Sequence, residues 1–334
     1  MIVLGIETSC DETAIAVVRE GREILCSEII SQIAIHQPFG GVVPELASQE
    51  HCSHILPLLQ RALKQAHLSL SEIDLLAVTY GPGLMGALLV GVNTAKALAL
   101  ATKKPLVGVN HVEAHLYAAL MSTLTPPPFP CLGVILSGGH TALVLVEDLT
   151  QYFLIGQTID DAIGEAFDKV AKMMGLGYPG GPIIERLAKQ GNDTAYSFRA
   201  GSVKEQEFAF SFSGLKTAVL YSLSSPLTEA IQRDIAASFQ RAAFQDVLKK
   251  TTRAAQKWGI SHLLFGGGVT NNCSLKTLFE QQAPHLICHW PTPHLSLDNA
   301  AMVAGLGFHR YQLFGATDPL SLEPMARIPF QKFP

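Results

Sequence analysis

Charge is scarce in this chain. Asp, Glu, Lys and Arg make up 16% of its 334 residues, against roughly 25% in an ordinary soluble domain. Neither sign dominates, since 24 basic and 28 acidic side chains leave a formal net charge of −4. A chain-wide basic field is therefore excluded, and any RNA or DNA contact has to come from a local patch or a partner. Cysteine is limited to six residues with no CxxC pair, which leaves no cysteine zinc or dithiol site and points to a reducing compartment. The opening MIVLGIETSCDET carries acids where an export signal needs positive charge and a longer apolar run. The longest smooth apolar stretch, Leu84 to Val92, stops at Asn93 and Lys96, short of the roughly 20 residues of a membrane span. The expectation is a soluble, cytoplasmic protein with no membrane partner.

Apolar residues are abundant, at 48%, enough for a large core or for a core plus a buried subunit surface. Short β-branched runs alternate with helical patterns, the mark of an α/β chain, and the length suggests two domains. Ile2 to Thr8 and Ala14 to Val18 read as strands around a polar turn, Ser9-Cys10-Asp11-Glu12. Leu132 to Leu136 and Thr141 to Val146 repeat this around Ser137-Gly138-Gly139-His140, and a shift of 128 lays Gly5 on Gly133, Ser9 on Ser137 and Thr13 on Thr141. Such self-similarity points to a duplicated unit. The stiff Pro126-Pro127-Pro128-Phe129-Pro130 break suggests domains at 1–125 and 126–300, followed by a C-terminal helix and tail at 301–334 that returns to the first.

Three groups of residues carry candidate chemistry. The turn Ser137, Gly138 and Gly139, and the glycines of Gly266 to Asn272 before a helix, suit phosphates held by backbone N–H groups. Asp11 and Glu12 would repel a bare phosphate, so either a metal offsets them or they accept protons. In Asn110-His111-Val112-Glu113-Ala114-His115, Asn110 is a good helix N-cap, and a spacing of four puts both imidazoles on one face about 5–6 Å apart, suited to one metal ion. Glu113 points away from that face, so a peptidase base is missing. Asp298, just before an apolar helix, is the candidate third ligand. Asp160 and Asp161 are explained as helix-start residues, whereas Asp168, one turn in, suits a ribose or substrate contact. Lys216 suits a phosphate or a helix cap, and the run Lys249, Lys250, Arg253 and Lys257 offers a basic patch or a solvated helix face.

Together GIETSCDET (5–13), GGVVPELASQEH (40–51), HVEAH (111–115), LSGGHT (136–141), EAFDKVAKMMGLGYPGGP (165–182), FSFSGLKTA (210–218), GGGVTNN (266–272) and LDNAAM (297–302) resemble the tRNA threonylcarbamoyladenosine transferase family. The resemblance implies two duplicated actin/Hsp70/sugar-kinase-like (ribonuclease H-like) domains flanking a nucleotide cleft. It implies acyl transfer from threonylcarbamoyl-AMP to the exocyclic amine of adenosine 37 in tRNAs reading ANN codons, releasing AMP. It places one divalent metal ion, iron or zinc, on His111, His115 and Asp298. The donor falls on Ile135, Leu136, Ser137, Gly138, Gly139, Asp168, Gly181, Glu185 and Asn272, with Asp11 and Glu12 as candidate proton acceptors. Implied partners are tRNA, an inactive paralogous subunit of the same fold, a small P-loop ATPase and a separate synthase that makes the adenylate. Glu45 to Ala66 suits a helical dimer surface. The alternatives are a sugar- or acetate-type kinase of the same fold and a non-catalytic scaffold paralogue; the histidine pair argues against the first and the retained ligands against the second. A metallopeptidase lacks its glutamate.

Overall fold

Ile2–Glu7 forms strand β1 and Glu12–Arg19 forms β2, antiparallel to it, in a computed structural model that describes residues 1–223, 226–315 and 317–332. Glu12 thus lies inside a strand, opposite Ser31, rather than in the expected turn. There follow β3 (Glu23–Ser31), the single turn α1 (Ile33–His36), α2 (Pro44–Gln65), β4 (Leu75–Gly81), α3 (Met85–Thr102), β5 (Leu106–Asn110) and α4 (His111–Met121). The sheet order is β3-β2-β1-β4-β5, with β4 parallel to both β1 and β5. β1 and β4 are apolar on both faces because central strands of such a sheet are covered on both sides. One side buries Leu4, Ile6, Leu76 and Val78 with Ile55, Leu58, Leu59 and Ala62 of α2 and Val92 and Ala95 of α3, at the spacing a helix face requires. Of the leucines expected to line a partner surface on α2, Leu58 and Leu59 are therefore core residues, and Leu56 is exposed.

By length and composition, α3 is apolar enough to cross a membrane, contrary to the expectation drawn from Asn93 and Lys96. Its 18 residues hold one charge, Lys96, and the Ala, Leu and Val that fill most of the other positions keep the mean hydropathy high. Ala87, Leu88, Gly91, Val92, Ala95 and Ala99 are buried along it, the last three in this core.

The second sheet is built from β6 (Cys131–Leu136), β7 (Thr141–Val146), β8 (Tyr152–Gln157), β9 (His262–Gly266) and β10 (Ile287–His289), with β11 (Gln331–Lys332) beside β8. Its helices are α5 (Ile163–Met173), α6 (Gly180–Ala188), α7 (Ser213–Ser222), α8 (Glu229–Trp258) and α9 (Cys273–Gln282). The order β8-β7-β6-β9-β10 repeats that of β3-β2-β1-β4-β5. The hairpin register repeats as well: Gly5 faces Ala16 and Glu7 faces Ala14, while Gly133 faces Val144 and Ile135 faces Ala142. All four positions differ by the same 128 seen in the sequence, so the chain is a duplication. The closing helices α10 (Pro293–Ser296) and α11 (Ala300–Phe314) fold with the first unit, which comprises residues 1–126, 149–151 and 291–330. The second comprises 127–148 and 152–290 with β11.

α11 packs on β1, β4 and α4, and small residues let it lie close. A Cβ at Gly5 would stand 2.3 Å from the Ala300 carbonyl oxygen, and one at Gly307 would stand 2.6 Å from Ala77 Cβ.

Two sequence expectations need correction in the second unit. Asp160 and Asp161 do not serve the start of α5. Asp160 accepts from the Phe212 and Ser213 amides at 2.8 and 3.3 Å and from the Ser211 and Ser213 hydroxyls, capping α7. Asp161 pairs with Lys169 at 2.6 Å and with Lys216 at 2.7 Å, so Lys216 is an internal partner. The basic run forms the expected solvated helix face at Lys249, Arg253 and Lys257, and only Lys250 departs from it. Lys250 is buried, 2.6 Å from Asp246 and 4.8 Å from the Phe210 ring centre, while Arg253 and Lys257 both face Glu207.

Candidate metal centre

β5 ends at Asn110, whose Oδ1 accepts from the Val112 and Glu113 amides at 2.9 and 3.4 Å and so starts α4. That cap fixes the first turn and puts His111 and His115 on one face, ring centres 4.6 Å apart. Asp298 sits between α10 and α11, in a turn clamped by Asn299. The Asn299 Nδ2 donates to the Leu295 and Leu297 carbonyls at 3.1 and 2.8 Å, and its Oδ1 caps α11 at Met302. Thr292, just before α10, donates from its amide to Ser122 Oγ at the end of α4, 2.9 Å away. These ties bring Asp298 Oδ1 to 3.0 Å from His115 Nε2 and 3.5 Å from His111 Nε2.

The three residues expected as ligands are thus together, one ligand atom from each lying within 4.8 Å of the others. Nitrogen and oxygen ligands around a tetrahedral ion stand about 3.3 Å apart, so the spacing suits a cation. Burial supports this independently. His115 is 1% exposed, its Nε2 faces Asp298 Oδ1 at 3.0 Å, and its Nδ1 has no hydrogen-bond partner, so Nε2 is the nitrogen placed for a cation. Carboxylates crowd the same place. Glu12 has its carboxyl pushed well above the usual range by burial and by Asp298 and Asp11. Burial also pushes the Cys10 thiol well up, helped by Asp11, Asp298 and Glu12. Burial works against charge on His111, but the Glu7 and Asp298 carboxylates outweigh it and raise the imidazole to about 9. Glu113 leaves the histidine face as expected. Burial lifts it to about 7 against the pull of Arg310, 3.7 Å away.

Sequence reasoning missed Glu7. Fully buried at the end of β1, it lies 2.9 Å from His111 Nδ1. Burial raises its carboxyl, yet the His111 charge and hydrogen bond prevail and hold it below its ordinary value. The signal was an acid closing an otherwise apolar strand, IVLGIE. Also missed was a buried chain of polar groups behind the hairpin tip. His51 Nε2 lies 3.0 Å from the Cys10 carbonyl, its Nδ1 is 2.7 Å from Thr13 Oγ1, and Gln32 links it to His36.

In the second unit, Ile135 to Gly139 lie at the C-terminal end of β6 and Asn272 just beyond that of its parallel neighbour β9, where open α/β sheets place ligands, while Asp168 is on α5 and Gly181 and Glu185 are on α6. The Ser137 carbonyl accepts from the Gly164 amide at the start of α5, and a Cβ at Gly267 would meet Leu136. A Cβ at Gly138, Gly139 or Gly181 would meet nothing within 4 Å, and none of the three has a positive φ, so neither packing nor backbone conformation demands glycine there. Asp168 accepts from the Gly180 amide at 2.6 Å, which ties α5 to the start of α6. Glu185 accepts from the Cys273 amide at 3.0 Å, and Asn272 caps α9 while donating to Gln240. Ile135 and Leu136 are buried residues at the end of β6.

A profile of the tRNA N6-adenosine threonylcarbamoyltransferase family matches residues 23–305. The chain belongs to this family. It is 58% identical to the tRNA N6-adenosine threonylcarbamoyltransferase of Protochlamydia amoebophila, over 99% of both chains. It is 48% identical to the Trichlorobacter lovleyi enzyme, over 99% of this chain and 98% of that one. Among solved structures, component A of the (R)-2-hydroxyglutaryl-CoA dehydratase of Acidaminococcus fermentans superposes with a TM-score of 0.54 at 14% identity, over 93% of this chain and 99% of that one. HypF of T. kodakarensis gives 0.61 at 14% identity, over 94% of this chain and 48% of its own. These two likenesses establish the duplicated actin/Hsp70/sugar-kinase-like fold. As a member of the threonylcarbamoyltransferase family the chain is a tRNA-modifying transferase, and nothing favours the kinase or scaffold alternatives.

Proposed function

We propose that this transferase moves threonylcarbamoyl from threonylcarbamoyl-AMP to N6 of adenosine 37 in tRNAs reading ANN codons, in the cytoplasm. The observation that carries the reading is the group of buried His111 and His115 with partly buried Asp298, whose ligand atoms lie within 4.8 Å of one another. These three residues would hold one divalent ion, iron or zinc. Bound there, such an ion supplies a Lewis acid that polarises a carbonyl and neutralises charge developing on oxygen.

The chain's own residues do the rest. The open glycine backbone of Gly138, Gly139 and Gly181 lets the donor nucleotide approach N–H groups closely. Ile135, Leu136 and Ser137 hold that turn at the strand end, while Asp168, Glu185 and Asn272 hold the starts of α6 and α9 beside it. The N6 amine attacks the carbamoyl carbon, a C–N bond forms, and the bond from that carbon to the phosphate oxygen breaks. AMP departs with the electron pair. The amine's proton goes to a carboxylate, Asp11 in the β1–β2 turn or Glu12 at the first position of β2. A paralogous subunit, a small P-loop ATPase and a synthase that supplies the adenylate complete the system.

The test is transfer from synthetic threonylcarbamoyl-AMP to unmodified tRNA, followed by nucleoside analysis. Wild-type protein with its partners is expected to modify the tRNA, and metal-free His111→Ala to lose about a hundredfold or more in rate. Undiminished transfer by the metal-free variant would remove the metal from the reaction.

A further inference from the structure

Two nitrogens of one imidazole ring face opposite ways in the first unit, and each has its own carboxylate. His111 Nε2 turns toward Asp298 Oδ1 at 3.5 Å, on the His115 side, while His111 Nδ1 lies 2.9 Å from Glu7 Oε2. Glu7 is 0% exposed and is held from both ends. Its Oε2 also accepts from Thr79 Oγ1 at 2.5 Å, and its Oε1 accepts from the Ser9 amide at 2.5 Å. Ser9 Oγ stands a further 3.1 Å from His111 Nδ1.

A carboxylate oxygen that already accepts from a threonine hydroxyl offers no proton, so the Nδ1 hydrogen is the one that closes this contact. That leaves Nε2, on the side of Asp298 and His115, as the nitrogen open to a cation, which displaces any proton carried there. The strand positions are fixed as well, because β1 and β4 are neighbours in the sheet, and Glu7 and Thr79 project from their adjoining ends.

We propose that Glu7, anchored by Thr79 and the Ser9 amide, is a positioning residue that sets the tautomer and orientation of His111 so that Nε2 is presented to the cation. The proposal rests on reading His111, His115 and Asp298 as a metal centre. Glu7 touches neither the substrates nor the ion in this account and acts only through His111. Such outer partners of metal-bound histidines raise ligand basicity, and their loss typically weakens metal affinity ten- to hundredfold.

The experiment titrates the full-length protein with cobalt(II) against a competing chelator and records the visible ligand-field bands together with the melting temperature of the metal-free protein. Glu7→Gln keeps the shape and removes the charge. It is expected to bind cobalt about ten- to hundredfold more weakly, with shifted bands, and to melt lower in the metal-free state because the buried His111 loses its paired charge. Thr79→Val, which frees one oxygen of Glu7, is expected to weaken binding in the same direction by a smaller factor, and it carries the test if Glu7→Gln does not fold. Wild-type affinity and bands in the variant that folds would overturn the role of Glu7 while leaving the metal centre intact. Wild-type protein that takes up no cobalt would overturn the metal centre itself, and the role of Glu7 with it.

Discussion

Asp298 Oδ1 approaches His115 Nε2 to 3.0 Å, closer than the 3.5 Å to His111, although the second unit lies between these residues in the sequence. Removing this carboxylate takes away one of three ligands and the charge that offsets the cation. Asp298→Ala is expected to lose metal on dialysis against a weak chelator, with affinity down about a hundredfold or more, and to fail in tRNA modification. Wild-type protein at a metal concentration a hundred times its Kd should gain about 2.7 kcal/mol of stability. Asp298→Ala should gain far less under the same conditions, as read by calorimetry.

His51 gives a pH dependence away from the metal ligands. Burial, helped by His54, holds its imidazole below the ordinary value against the pull of the Cys10 carbonyl, Glu7 and Asp11. The unfolded chain therefore takes up a proton near pH 6.5 that the folded chain resists, so stability falls as pH drops below that value. The melting temperature at pH 5.5 should lie below that at pH 7.5. His289 and His309 shift the same way, so the contribution of His51 is the difference between wild type and His51→Gln. The variant should melt lower at pH 7.5, having lost the bonds to Thr13 and the Cys10 carbonyl, and show a flatter slope.

Much of this architecture was legible in the sequence because its signals are local. The Asn110 cap and the spacing of His111 and His115 fix one helical turn. The 128-residue shift reappears as identical hairpin register, since register follows from which residues must face inward. Asp298 was found from its place before an apolar helix. The rest depends on partners distant in sequence. Glu7 at a strand end looks like the start of a solvated turn until Thr79 arrives from β4. Asp160 and Asp161 fit a helix start by composition alone, and only the folded chain brings Ser211, Ser213 and Lys216 to them. Lys250 reads as solvated until α8 turns it toward Phe210 and Asp246.

Asp160 supplies an acid-side prediction in the second unit. Burial raises its carboxyl, but hydrogen bonds from Ser211, Ser213 and the Phe212 and Ser213 amides outweigh that and hold it below its ordinary value. A depressed carboxylate adds stability above its unfolded value, near pH 4, and loses it as pH falls through the folded one. Asp160→Ala removes the cap of α7 and should cost about 1 kcal/mol at pH 7. The residue is exposed, so the loss is not expected to be larger. Below about pH 4 the two proteins should converge in chemical denaturation, because wild type then loses the same bonds.

Gly5 couples packing to the metal centre. Its missing side chain lets α11 lie against β1, where a Cβ would come within 2.3 Å of the Ala300 carbonyl oxygen and 2.9 Å of Ala304 Cβ. The first contact is with backbone, so no rotamer change relieves it, and Ala304→Gly would remove only the second. Gly5→Ala therefore has to push the start of α11 away from the sheet, at a cost of roughly 1–3 kcal/mol. Asp298 lies two residues before that start, so the displacement carries its carboxylate away from His111 and His115. The expected result is a lower melting temperature together with weaker cobalt binding, neither rescued by Ala304→Gly. A Gly5→Ala protein that melts and binds cobalt as wild type does would show that the seat of α11 on β1 does not set the position of Asp298.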